Sequence, residues 1–143
     1  MTISRAVLTF ALALAAAACA GASTSPSLAP SRPSTPSAPS GGVVVTFQVG
    51  AEQFRIELTD PADIDIARKL LAGEEAPGIP NGVVVRGDPS VNTGYSWHID
   101  PASVEFADVT TEVCDGLPSD VEANQITSDR FCPWNAKVIG IEG

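Results

Sequence analysis

The stretch "VVVTFQVGAEQFRIELTDPADIDIARKLLAG", Val43 to Gly73, decides the fold class. In its second segment Phe54, Ile56 and Leu58 alternate with Arg55 and Glu57, the period of a half-buried strand. The β-branched run before it reads as a partner strand, and Gly50 suits the turn between them. After Leu58 the period changes. Asp60 is a helix N-cap, Pro61 fits the first helical position, and Asp63 and Asp65 lie near the positive end of the helix dipole. Ile64, Ala67, Leu70 and Leu71 form an apolar stripe, and Gly73 supplies the stop. A hairpin followed at once by a helix predicts an α+β domain. The aspartates raise calcium as an alternative, but they lack the glycine and distal glutamate of an EF-hand loop, so capping accounts for them.

Upstream, "MTISRAVLTFALALAAAACAGAS" carries one early positive charge at Arg5, an apolar run from Ala6 to Ala18, and then small residues. That is the layout of a secretory signal peptide over 1–18. The residues before Cys19, "AAAC", resemble the lipobox of bacterial lipoproteins, with Ala16 where leucine is preferred. This predicts a lipidated Cys19 and a protein anchored at the bacterial cell envelope through its membrane. Cleavage after Ala22, giving a secreted soluble form, is the alternative. Residues 19–42 then form a Ser/Pro/Ala-rich tether with too little apolar surface to offset its ordering entropy. Residues 43–143 form the single globular domain.

The chain has three cysteines. If Cys19 carries lipid, Cys114 and Cys132 remain as a pair, and an exported domain favours a disulfide between them. A two-cysteine metal site is the competing reading, but neither residue sits in a CxxC or beside a histidine at ligand spacing. The formal charge is −9, with the basic residues scattered singly, which excludes a nucleic-acid partner. The sequence assigns no cofactor and no metal.

Downstream, "EEAPGIPNG" reads as a loop, "VVVRG" as a short strand and "DPSVNTG" as another loop. "YSWHIDPASVEF", Tyr95 to Phe106, is the candidate site: it holds the lone His98, a tryptophan and two carboxylates. "DPAS" has Asp and Pro in favoured turn positions, so the flanking strands are expected to form a hairpin. Trp97 would then lie opposite Phe106, Ile99 opposite Val104, and His98 opposite Glu105. Tyr95, Trp97, Ile99, Val104 and Phe106 take the core face, leaving His98 and Glu105 as a cross-strand pair on the other. "AKVIGI" closes the chain as a last strand, after a Cys132-Pro133-Trp134 corner. The count is about six strands in one small antiparallel or mixed sheet, with one long helix packed on a face.

"SWHIDP", "EVCDG" and "CPWNA", with "DPADIDIARKLLAG" upstream, resemble the family of exported domains similar to the N-terminal domain of the BP-seventy-four protein. The resemblance spans about Phe47 to Ile141. It implies a secreted or surface module with a helix after the first hairpin and a cysteine pair between the late motifs. It implies no particular activity. Trp97, His98, Asp100, Pro101, Cys114, Asp115, Cys132, Pro133 and Trp134 are its motif positions.

Three functions compete. The first is a non-enzymatic, lipid-anchored module that binds a protein, peptide or glycan. The second is a small hydrolase or metal-dependent enzyme centred on His98, with Glu105 and Asp100 as partners, Glu112 nearby, and Ser96, Ser103 or a threonine as nucleophile. No GxSxG-type elbow supports it, and one histidine cannot give the spacing of zinc hydrolases. The third is a protease inhibitor, which would need a long protruding loop near Cys132. The phosphate-cradle motifs are absent from "VRGDPSVNTG", and its Arg-Gly-Asp reads as a strand end entering a turn. Trp97 and Trp134 are both expected to be core anchors.

Overall fold

The computed structural model describes residues 41–143. The expected signal peptide, Cys19 and most of the expected tether therefore lie outside the described residues.

β1 (Val43–Val49) and β2 (Glu52–Leu58) form the expected hairpin, in register from Val43 opposite Leu58 to Val49 opposite Glu52. Gly50 makes the turn possible, with φ at 59°, a region that a side chain disfavours. Alternation holds along both strands: Val43, Val45, Phe47 and Val49 are buried with Phe54, Ile56 and Leu58. α1 (Pro61–Ala72) is capped as its residues require. Asp60 Oδ1 accepts from the Ala62 N–H at 2.7 Å. At the other end Gly73, at φ 77°, donates to Leu70, and Glu74 donates to Lys69. These two bonds are the paired closure of a Schellman motif.

The stripe on α1 is narrower than its spacing suggests. Ala67 is buried and Ile64 packs against the core, but Leu71 is 46% exposed. The helix makes only about three turns and lies against β7 (Lys137–Glu142), reaching β2 and β5 (Glu105–Ala107). The α+β class holds, but α1 is short and the domain is mostly β.

The strands form two antiparallel sheets rather than one. The first has the order β2-β1-β7. Val45 pairs with Ile141, and the register shifts by a bulge between Thr46 and Phe47. At the open end of this sheet the two flanks of the domain meet, since Gly143 lies against Gly42 and Val43. The second sheet is built on β3 (Ile79–Arg86), which pairs with β4 (Trp97–Ile99), β5 and β6 (Arg130–Phe131). β3 starts earlier than its β-branched run suggests, at Ile79. Pro80, with no N–H for the ladder, is tolerated opposite Phe106. Gly82 is required by a neighbour: a Cβ there would stand 2.3 Å from Ile99 Cγ2.

Aromatic rings from both sheets fill the space between them. Phe47 stacks on Phe54 at 5.3 Å, and Phe54 and Trp97 each meet Phe131 edge-on, at 5.3 and 5.5 Å. Phe47 also reaches Phe106, and Tyr95 packs on Trp97. Such pairs each contribute about 0.5–1.5 kcal/mol beyond the area they bury.

A buried asparagine ties the sheets together. Asn92 Oδ1 accepts from the Arg55 N–H of β2 at 2.9 Å, and its Nδ2 donates to the Trp97 carbonyl of β4 at 3.0 Å. α2 (Pro118–Glu122) has Pro118 and Val121 buried and packs against β2. Its cap is leucine, which cannot accept with its side chain, so β2 supplies the acceptor. Glu52 accepts from the Ser119 N–H at 2.8 Å and from its hydroxyl at 2.7 Å.

Candidate functional site

The segment 95–106 is not a hairpin. β4 and β5 pair with the two ends of the same strand: Ile99 lies opposite Val84 and Trp97 opposite Arg86, whereas Glu105 lies opposite Asn81 and Ala107 opposite Ile79. Between them Pro101–Ser103 forms a turn of 3-10 helix capped by Asp100, whose Oδ1 accepts from the Ala102 N–H at 3.0 Å. The same turn satisfies Val83. The Asp100 N–H donates to the Val83 carbonyl, and Ser103 Oγ accepts from the Val83 N–H at 2.8 Å. A side-chain hydroxyl thus stands in for a missing ladder partner, and the chain continues along β3 without reversing. The expected facing holds: Trp97 and Ile99 are buried, and Tyr95, Val104 and Phe106 pack against the core.

The expected His98–Glu105 pair is therefore absent. His98 lies opposite Val85 and Glu105 opposite Asn81, four residues apart along β3, which at about 3.3 Å per residue is about 13 Å. His98 Nδ1 bonds to the Asp88 carbonyl at 2.6 Å. Glu105 Oε1 instead accepts from Asn81 Nδ2 and from Arg130, each at 2.8 Å. Asp100 is occupied in capping its turn. Of the candidate nucleophiles, Ser103 Oγ donates to the Asp100 carbonyl at 2.8 Å, and Ser96 Oγ donates to Glu122 at 2.8 Å. Glu112 opens a separate 3-10 turn, Glu112–Cys114.

The structure brings other residues together instead. Beside Glu105 is an open cleft of about 480 Å³, lined among others by Asn81, Glu105, Thr110, Thr111, Ser128 and Arg130. Arg130 is fixed at its rim from three sides. Nε donates to Asn81 Oδ1 at 2.8 Å, and the Nη2 group reaches Glu105 and the Ser103 carbonyl. Thr110 Oγ1, on a residue that lines the cleft, is buried with no hydrogen-bond partner among the described residues. A buried hydroxyl without a partner is uncommon in folded proteins. Asp63 on α1 also feels Glu105: burial, then Asp60, then Glu105 push its carboxyl above the usual range. His98 lines none of the hollows described on this surface. Among the described residues, no cluster of three or more His, Cys, Asp or Glu could hold a metal ion.

Sequence reasoning missed Arg130, Asn81 and Asn92. Arg130 and Asn81 carry no local signal, because they meet only through the pairing of β3 with β5 and β6. Asn92 sits in a stretch whose composition reads simply as loop.

The late motifs converge elsewhere. Cys114 and Cys132 form a disulfide. Beside it the Cys132 N–H donates to the Cys114 carbonyl at 2.8 Å, and Asp115 Oδ1 accepts from the Trp134 N–H at 2.8 Å. Cys132 and Pro133 are buried, but Trp134 is 41% exposed, so it is not a core anchor. Hydrogen bonding to Asp115 holds its backbone while the ring stays in reach of solvent. The segment 132–136 that joins β6 to β7 is short, without the long loop that the inhibitor reading requires.

A buried Trp97 between two sheets, an Asp-Pro turn after it, and a Cys-Asp motif disulfide-linked to a Cys-Pro-Trp corner make one connected pattern. The family model of the BP-seventy-four N-terminal domain matches residues 42–142. The chain belongs to the BP-seventy-four N-terminal domain family. In this member of the family the motif positions divide by task. Trp97 fills the core, Asp100 and Pro101 build the turn under β3, and the Cys114, Asp115, Cys132 and Pro133 group fixes the corner that carries Trp134. No curated protein and no solved structure matches the chain.

Proposed function

We propose that this BP-seventy-four N-terminal domain is an exported, lipid-anchored, non-enzymatic binding module of the cell envelope, and that the Glu105–Arg130 cleft is its principal contact surface. The observation that carries the reading is Arg130. Its guanidinium is held by Asn81, Glu105 and a backbone carbonyl beside an open cleft of about 480 Å³. A charged group oriented in advance loses less freedom when it binds. The separation of His98 from Glu105 supports a non-enzymatic role, because the candidate base lacks the carboxylate expected to orient it. A hydrolase centred on His98 stays the alternative. The Cys114–Cys132 disulfide fits the oxidising compartment that export implies.

Three experiments test the reading. In ¹⁵N-labelled protein, titration with short peptides and with envelope oligosaccharides should move the amide signals of Asn81, Thr110 and Arg130, and Arg130→Ala should abolish those shifts. Hydrolysis of any substrate panel that disappears in His98→Ala would reverse the conclusion. Mass spectrometry of the membrane fraction should find diacylglycerol on Cys19, whereas a soluble form beginning at Ser23 would remove the anchor.

A further inference from the structure

We infer that a second hollow, at the β1–β2 turn, is a carbohydrate-binding groove. It measures about 320 Å³ and is lined by Gln48, Gly50, Asn135 and Lys137. The register of the first sheet sets Gln48 directly opposite Lys137, one step from the Phe47–Val138 pair whose side chains turn to the core. Gln48 and Lys137 therefore share the face turned away from the core. Asn135 arrives from the disulfide corner.

The polar inventory of this hollow names the ligand class. Gln48 Nε2 donates to the Gly50 carbonyl at 3.0 Å, which orients the amide and leaves Oε1 as an acceptor. The Asn135 amide and the Lys137 ammonium make no side-chain hydrogen bond or ion pair among the described residues. The hollow thus offers two amide acceptors, an amide donor pair and a three-donor cation. An anion alone would call for donors only, and a cation for acceptors only. Hydroxyls need both at once, and a sugar ring presents several. The volume lies at the lower end of the about 300–1,000 Å³ range of small-molecule sites, the size for one or two rings.

The preceding residue in the chain, outside the lining of the hollow, is an aromatic that a ligand extending past Asn135 meets. Trp134 comes just before Asn135 and is partly exposed on a backbone fixed by Asp115, by buried Pro133 and by the Ala136 N–H bond to the Pro133 carbonyl at 3.3 Å. A partly exposed aromatic ring packs against the C–H face of a sugar. The rigid corner keeps the ordering cost of that contact low. This groove is separate from the Glu105–Arg130 cleft, so neither result decides the other.

Fluorescence tests it, because the chain has two tryptophans and Trp97 is buried. The full chain, disulfide intact, is titrated with neutral hexose tetrasaccharides and, in parallel, with uronate-containing ones. The expected result is a saturable change in Trp134 emission with at least one panel, weakened about tenfold or more by Asn135→Ala and by Lys137→Ala and unchanged by Arg130→Ala. A response to the uronate panel alone, falling with added salt and lost in Lys137→Ala, assigns the ammonium to a carboxylate; a response to both assigns it to hydroxyls. Absence of saturable binding to either panel by protein with native circular dichroism overturns the groove. So does binding that survives Asn135→Ala together with Lys137→Ala.

Discussion

Asn92 donates its side-chain amide to the backbone carbonyl of Trp97 at 3.0 Å, and both residues are fully buried. The other half of the same amide accepts from Arg55, so one planar group replaces a stretch of ladder between β2 and β4. Removing it leaves the part-buried Arg55 N–H and the buried Trp97 carbonyl without partners, at up to about 1–3 kcal/mol each. Asn92→Ala is expected to lower stability by about 2–4 kcal/mol in urea unfolding. A change under about 0.5 kcal/mol would mean that the two sheets hold together without this amide.

Gly82→Ala should destabilise by steric overlap alone. The added carbon would meet Ile99 Cγ2 at 2.3 Å, inside the buried pairing of β3 with β4. Overpacking of this kind costs about 1–3 kcal/mol. Ile99→Ala removes that methyl at its own cost, so the double change should lose less than the two single changes combined, a coupling that a double-mutant cycle measures. Additive losses would place the strain elsewhere.

The disulfide closes a sequence separation of 18 residues. In the chain-entropy account a loop of that length stabilises by about 3 kcal/mol. Cys114→Ser with Cys132→Ser should lower the unfolding free energy by about that amount. Thiol labelling of the denatured, unreduced protein should find both cysteines blocked; free thiols there would contradict the pairing.

Two carboxylates should bend the pH dependence of stability in opposite directions. Asp63 is raised by burial, with Asp60 and Glu105 adding to it, so the folded state binds its proton more readily than the unfolded chain. Its unfavourable contribution sets in as pH rises from the ordinary carboxylate value through the raised one, and persists above it. Glu122 is held low by the Ser96 N–H and hydroxyl, with help from Arg86. Its favourable contribution is complete above the ordinary carboxylate value and is lost as pH falls through the depressed one. Urea midpoints between about pH 3 and 7 should show Asp63→Asn gaining on the parent as pH rises. Glu122→Gln should lose ground over the same range. Parallel curves for either variant would refute that assignment.

His98→Ala should leave the fold nearly unchanged, because the ring is half-buried and bonds only to the exposed Asp88 carbonyl. The expected loss is within about 1 kcal/mol, read by thermal unfolding. A larger loss would give the histidine a structural role that its contacts do not suggest.

Local chemistry carried the first hairpin and α1 into the sequence. Alternation at Phe54, Ile56 and Leu58 and the Asp60, Pro61 and Gly73 signals each act within a few residues, and each was legible. At Trp97–Phe106 the same alternation gave the correct faces but the wrong partner. Asp-Pro is a turn signal in either case. The choice between reversal and a capped 3-10 turn fell to Ser103 Oγ bonding with Val83, a contact across 20 residues of chain that no local pattern announces. Leu71 and Trp134 show a related limit, since hydrophobicity does not say whether a neighbour is there to cover the side chain. The Asn81–Glu105–Arg130 contact joins three strands, so it exists only once the topology is fixed.

The meeting of Gly42 with Gly143 at the open end of the first sheet gives the domain a polarity. The described residues therefore begin and end at that pole, whereas Gly50 and the groove beside it stand at the far end of β1, about 20 Å away at the rise of a strand. Such a domain can be mounted by both of its ends and still turn its β1–β2 tip outward.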